Sequence, residues 1–141
     1  MMPGFMLDTD TVSFALRGQG QVGSRLLEHR PSEIFVSSIT LAELRHGAAR
    51  RGSRKLTRLI DVFTGDVSVL AFDRAAGDRF GGVAAALAAA GTPVGGFDTL
   101  IAAHALAANL TLVTNNTKHF DRVDGLRTDN WSCSSRNKGK P

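Results

Sequence analysis

The sequence predicts a single α/β domain built on a parallel sheet. Short apolar runs end abruptly at polar residues, stretches with a helical apolar repeat lie between them, and the chain of 141 residues suits one domain. The first run, Phe5-Met6-Leu7, reads as a buried strand that stops at Asp8. Ile34-Phe35-Val36, ending at Ser37-Ser38, reads as the second. Leu56, Leu59, Ile60 and Phe63 stand at i, i+3, i+4 and i+7, the spacing that puts them on one face of a helix. Val67 to Phe72 is the third strand, followed by an alanine-rich helix through Val83 to Ala90. Gly91-Thr92-Pro93-Val94-Gly95-Gly96 breaks that helix from the next, whose stripe runs Phe97, Leu100, Ile101, His104, Ala105 and Ala108. Leu110 to Val113 is the fourth strand. Residues 1–132 form the expected domain, and the polar, basic segment 133–141 is expected to be a flexible tail.

Composition narrows the class. With 43% hydrophobic and 21% charged residues, the chain is neither a disordered segment nor a collagen-like repeat. A chain of this length buries about 68% of its unfolded surface, enough for a core of its own. No apolar run approaches the roughly 20 residues of a membrane span. Met1 to Leu7 carries no basic leader and meets Asp8 before a signal core can form, so the expected location is the cytoplasm. Cys133 is the single cysteine, which excludes an intrachain disulfide or a cysteine-built zinc site.

Charge becomes informative once it is located. The 17 Lys and Arg exceed the 13 Asp and Glu by four, and Arg136, Lys138 and Lys140 account for three of these, leaving the body at +1. Within that body, Arg45, Arg50, Arg51, Arg54, Lys55 and Arg58 form a block whose acidic neighbours are Glu43 and Asp61. Such a block can neutralise phosphates, or simply solvate a helix face.

Open parallel sheets bind ligands beyond the carboxyl ends of their strands, so acidic residues just after strands are the candidates for chemistry. Asp8 ends the first strand, Glu43 lies one turn into the helix after the second, Asp98 opens the helix after the glycine break, and Asn115-Asn116 follow the fourth. Carboxylates converging from separate segments repel unless a cation neutralises them, and Mg²⁺ or Mn²⁺ prefers such oxygen ligands. Each candidate also has a purely structural reading. Thr40-Leu41-Ala42-Glu43 fits a capping box, and Asp98 stands where a helix N-cap belongs. Asp8 at a strand end is harder to explain away, because an unpaired charge near the core is expensive. His104, within an apolar stripe, reads as a hydrogen-bonded core histidine. His46 and His119 have no partner at metal-ligand spacing, and Phe97, Phe120 and Trp131 read as core.

Together these segments resemble a known family. Leu7-Asp8-Thr9-Asp10, Val36 to Leu44 with Gly47, Asp98-Thr99-Leu100-Ile101-Ala102-Ala103-His104-Ala105, and Leu112 to Phe120 are similar to the motifs of PIN-domain ribonucleases, and more narrowly of VapC toxins. The likeness extends to Val123 to Trp131. Four motifs in order across nearly the whole chain make it specific.

The resemblance implies a three-layer α/β/α domain with an acidic cluster that binds Mg²⁺ or Mn²⁺. By motif match, Asp8, Glu43 and Asp98 are the metal-holding carboxylates, and Asn116 takes a fourth position that is often acidic. Thr114 and Asp10 lie just behind them. Asp10 stands where Asn is usual, and His119 where Asp or Glu is common. The implied activity is an endoribonuclease cutting structured RNA, with tRNA as the expected substrate, and Arg45, Arg50, Arg51, Arg54 and Lys55 contacting its backbone. The implied partners are a VapB-like antitoxin, with apolar residues along Leu56 to Phe63, and a second copy of the chain. Two other functions fit parts of the sequence. Asp8-Thr9-Asp10-Thr11-Val12 resembles the haloacid-dehalogenase phosphatase signature, in which Asp8 would be phosphorylated and Asp10 would be the acid, with Lys118 as the later lysine. A metal-free RNA-binding PIN domain is the third, since a fold alone does not guarantee catalysis.

Overall fold

A computed structural model describes residues 4–92 and 95–132. The segment 133–141, expected as a flexible tail, lies outside the described residues, as do Pro93 and Val94 of the glycine-rich break. Strand β1 (Phe5–Leu7) leads into α1 (Thr9–Arg17) and α2 (Val22–Leu26). A 3₁₀ turn (Pro31–Glu33) precedes β2 (Ile34–Ser37), α3 (Ser38–Arg51), α4 (Arg54–Asp66) and β3 (Ser68–Leu70). Then follow α5 (Arg74–Ala89), α6 (Gly96–Ala107), β4 (Thr111–Val113), α7 (Thr117–Phe120) and β5 (Thr128–Asp129). No described helix is long and apolar enough to cross a membrane.

The strands form one sheet in the order β3-β2-β1-β4-β5, and every pairing is parallel. Successive side chains on a strand point to opposite faces, so each central strand feeds two cores. Leu7, Val36 and Val113 face one cluster with Val12, Val22, Leu44 and Ile60, while Met6 and Leu112 face another with Leu87, Ile101, Ala105 and Phe120. Helices α1 to α4 thus cover one face and α5 to α7 the other, the three layers expected.

Several local expectations shift. The run Val67 to Phe72 forms a strand only over Ser68–Leu70, because Val67 caps α4 and the Phe72 amide donates to Ser38 Oγ at 2.9 Å. This strand lies at the sheet edge and is mostly exposed rather than buried. Helix α3 starts at Ser38, where Ser37 Oγ accepts from the Ile39 amide at 3.0 Å. Thr40 and Glu43 are therefore inside the helix, and the predicted capping box does not form. Likewise α6 is capped at Gly95, which puts Asp98 within its first turn rather than at the cap. Phe97 is 57% exposed, not core, since the buried run of α6 begins only at Thr99. His104 is buried, with Nδ1 2.8 Å from Ser37 Oγ, and burial lowers its pKa despite the opposing charge of Asp73. Phe120 and Trp131 are core, the latter donating its indole N–H to Asp129 Oδ2 at 3.0 Å and stacking on His29. Strand β5 had no apolar run to announce it. Its register against β4, Leu112 to Thr128 and Val113 to Asp129, defines it.

Candidate active site

After β1 the chain builds β2 and β3 to one side, then returns to place β4 and β5 on the other. The crevice between the carboxyl ends of β1 and β4 is therefore the switch point where such sheets bind ligands. Asp8 stands there, 4% exposed. Its Oδ1 accepts from the Thr11 amide at 2.9 Å, so it caps α1, and its own amide donates to Val113 O at 3.0 Å. Thr114, at the end of β4 and fully buried, hydrogen-bonds the same carboxylate. The Thr114 hydroxyl also accepts from the Asn116 amide at 3.0 Å, coupling the loop before α7 to Asp8. Burial raises the Asp8 pKa, the hydrogen bonds from Thr114 and Thr11 oppose it, and the charge of Asp10 adds to the rise. Desolvation thus outweighs both the hydrogen bonds and the favourable end of α1.

The other carboxylates arrive from different elements. Glu43 projects from α3, where Thr9 Oγ1 donates to its Oε1 at 2.5 Å. Thr40 Oγ1 lies 3.3 Å from the same Thr9 oxygen. Because Thr9 has one proton and gives it to the carboxylate, Thr40 donates to Thr9 and the two hydroxyls form a relay that orients Glu43. Asp98, half-buried on α6, has a raised pKa, from burial first and then from the charges of Glu43 and Asp10. His119 opposes that rise. Asp8, Asp10, Glu43 and Asp98 therefore form one electrostatic unit. Among the described residues, none of the four forms an ion pair with Lys or Arg.

Asn116 is exposed at the rim, its amide nitrogen 3.1 Å from His119 Nδ1. His119 thereby joins the site, although the sequence spacing provided no partner for it. Thr9 was also missed as a site residue, and its only signal was its place beside Asp8. The all-oxygen set and its uncompensated negative charge suit a hard divalent cation. Among the described residues, however, no three acidic or histidine side chains close into a ready ligand shell. Such a set fits an ion that keeps several of its waters, as Mg²⁺ does.

The basic block ends α3 and opens α4. Arg45 is already engaged, its guanidinium 2.7 Å from Asp61 Oδ1. Arg50, Arg51, Arg54 and Lys55 are exposed and, among the described residues, form no ion pair.

A three-layer parallel domain with acidic residues at its switch point is the architecture of an α/β protein that binds its ligand there. The chain matches the PIN domain over residues 5–126, and it belongs to that family, among its VapC-type ribonucleases. It is 40% identical to the tRNA(fMet)-specific endonuclease VapC of Shigella flexneri over 130 residues, covering 91% of this chain and 98% of that protein. Among solved structures, VapBC2 of Rickettsia felis bound to a promoter DNA fragment superposes with a TM-score of 0.81 at 31% identity, covering 90% of this chain and 98% of that one. DNA-bound VapBC from Salmonella typhimurium gives 0.80 at 37% identity, covering 92% and 99%. Family membership decides against the haloacid-dehalogenase alternative.

Proposed function

We propose that this chain is the toxin of a type II toxin–antitoxin pair, a Mg²⁺- or Mn²⁺-dependent endoribonuclease that cleaves structured RNA, with tRNA as its substrate. One observation supports the chemistry: the Asp98 carboxylate feels the charges of Glu43 and Asp10, the Asp8 carboxylate feels Asp10, and among the described residues no Lys or Arg forms an ion pair with any of them. A divalent cation held there supplies Lewis acidity toward a phosphoryl oxygen and acidifies a nearby water for in-line attack. The chain's own residues do the positioning. Thr11 and Thr114 hold Asp8 in one rotamer, and the Thr40–Thr9 relay does the same for Glu43. Asn116, neutral and exposed, orients the phosphate or a water. Asp10 adds negative charge at the mouth, while Arg50, Arg51, Arg54 and Lys55, with Arg45 beside Asp61, draw the RNA backbone toward an otherwise repellent centre. Attack by water leaves 5′-phosphate and 3′-hydroxyl ends.

The tRNA substrate follows from the likeness to the Shigella tRNA(fMet)-specific enzyme, and the antitoxin from the likeness to VapBC complexes. An antitoxin arginine can enter the acidic centre, pairing its forked guanidinium with the carboxylates. Val62, 65% exposed on α4, is apolar surface for the same partner to cover within Leu56 to Phe63. Homodimerisation is proposed from the family likeness. The test is cleavage of total tRNA by purified protein with Mg²⁺ and in excess chelator, together with co-expression of the adjacent antitoxin frame. Cleavage that persists in chelator, or in Asp98→Asn, refutes the metal mechanism. Toxicity unrelieved by the partner refutes the toxin assignment.

A further inference from the structure

Between α1, α3 and α4 a cavity of about 120 Å³ opens beside Glu43, and its lining includes Arg17, Arg51, Gly47, Leu44 and Leu56. Both α1 and α3 start at the active-site end of the sheet, and each carries an arginine eight residues beyond a site residue: Thr9 to Arg17, and Glu43 to Arg51. At 1.5 Å per residue, both guanidinium-bearing positions stand about 12 Å along their helices from the carboxylate end. Arg17 and Arg51 are exposed and form no ion pair among the described residues, and the Arg17 guanidinium lies over the Phe14 ring, 5.8 Å from its centroid.

We propose that this groove is an RNA-backbone subsite, in which Arg17 and Arg51 clamp a phosphate of the substrate strand beyond the one being cut. The inference rests on the ribonuclease function above and adds a residue, Arg17, that lies outside the basic block. Charge complementarity selects the occupant. Two unpaired guanidiniums from different helices offer forked donors to one anion, in a groove that Thr9 and Glu43 of the candidate site also line. The lining contains no aromatic ring, so the groove holds sugar and phosphate rather than stacking a base. Leu44 and Leu56 provide apolar wall for the ribose. Contacts of this kind set the register of the strand without specifying its sequence.

The groove can be filled without disturbing the fold. A Cβ at Gly47 would meet nothing within 4 Å, and a leucine there improves helix propensity. The experiment measures binding of fluorescently labelled bulk tRNA in chelator, across a salt series, and separately Mg²⁺-supported cleavage. Arg17→Ala and Arg51→Ala should each weaken binding about ten-fold, the loss expected for a charged hydrogen bond. The double variant should flatten the salt slope by about 0.7, one phosphate contact on a single strand. Gly47→Leu should weaken binding while melting no lower than wild type. Arg79→Ala on α5 removes the same charge from the opposite helical layer and should bind as wild type does. In a synthetic RNA with single neutral methylphosphonate linkages, one position away from the cut should weaken wild-type binding as the double variant does and have no further effect in the Arg17→Ala/Arg51→Ala double variant. Wild-type binding by Arg17→Ala and Gly47→Leu, or an equal loss in Arg79→Ala, overturns the subsite. Normal binding by wild type without any cleavage instead refutes the ribonuclease function and leaves the subsite standing.

Discussion

Asp8 serves two purposes that substitution can separate. As the N-cap of α1 it accepts the Thr11 amide at 2.9 Å, and as a buried charge it is destabilised by desolvation and by Asp10. Asparagine keeps an oxygen for the cap and discards the charge, whereas alanine discards both. Loss of an N-cap acceptor costs about 1 kcal/mol, which for a domain of this size lowers Tm by about 4 °C. In chelator at pH 7, Asp8→Asn should therefore melt above wild type, because it removes a charge that burial disfavours. Asp8→Ala should melt about 4 °C below Asp8→Asn and close to wild type, as its two effects offset. Added Mg²⁺ should raise the melting temperature of wild type and leave both variants unmoved, and neither variant should cleave RNA. Differential scanning calorimetry with and without Mg²⁺ reads all of this. If wild type is the most stable of the three in chelator, the charge is already compensated within the chain and the case for a cation at this carboxylate collapses. If the two variants melt together, the cap hydrogen bond contributes nothing.

Three further outcomes are expected. The raised pKa values of Asp8 and Asp98 mean that the folded protein binds their protons more tightly than the unfolded chain does, so their contribution to stability is full below 3.8 and is lost as pH rises through the raised values. In chelator, denaturant titrations should show wild type losing stability relative to the Asp8→Asn/Asp98→Asn double variant across that rise, and a constant difference contradicts the shifts. Asn116→Asp adds a carboxylate beside His119 at the rim, and calorimetry should show tighter Mg²⁺ binding, whereas unchanged affinity would place Asn116 outside the ion's reach. Gly20 has φ 64°, and a Cβ there would lie 2.8 Å from Ser132 O, so Gly20→Ala should cost at least about 1 kcal/mol by urea denaturation.

Much of the fold was legible because β1, β2 and β4 are short apolar runs buried on both faces, which leave a continuous hydrophobic signature. The edge strands were not: β3 was overextended to Phe72, and β5 is a polar Thr-Asp pair that becomes a strand only through its hydrogen bonds to β4. The helix starts at Ser38 and Gly96 also escaped local reading. Thr40 and Asp98 both look like caps in isolation, yet Ser37 supplied a cap three residues earlier and Gly95 took the N-cap position of α6 with no side-chain hydrogen bond. Phe97 was misplaced because a helical stripe says which residues share a face but not where along the helix the core begins.

At the candidate site, residue type and position relative to strand ends raised Asp8, Glu43 and Asp98 as candidates, and only the motif resemblance set them, with Thr114, above their reading as helix caps. Type and position are local properties: a carboxylate or hydroxyl following an apolar run can be recognised without knowing what faces it. What only the tertiary structure decided was company. Parallel strand order brought β4 beside β1, which put Thr114 against Asp8, and helix packing put Thr9 against Glu43, His119 near Asp98, and Arg17 across a groove from Arg51. Those pairs are separated along the chain by as many as 106 residues, from Asp8 to Thr114. Their interactions depend on distances of a few ångströms, which chain order does not encode and only packing sets.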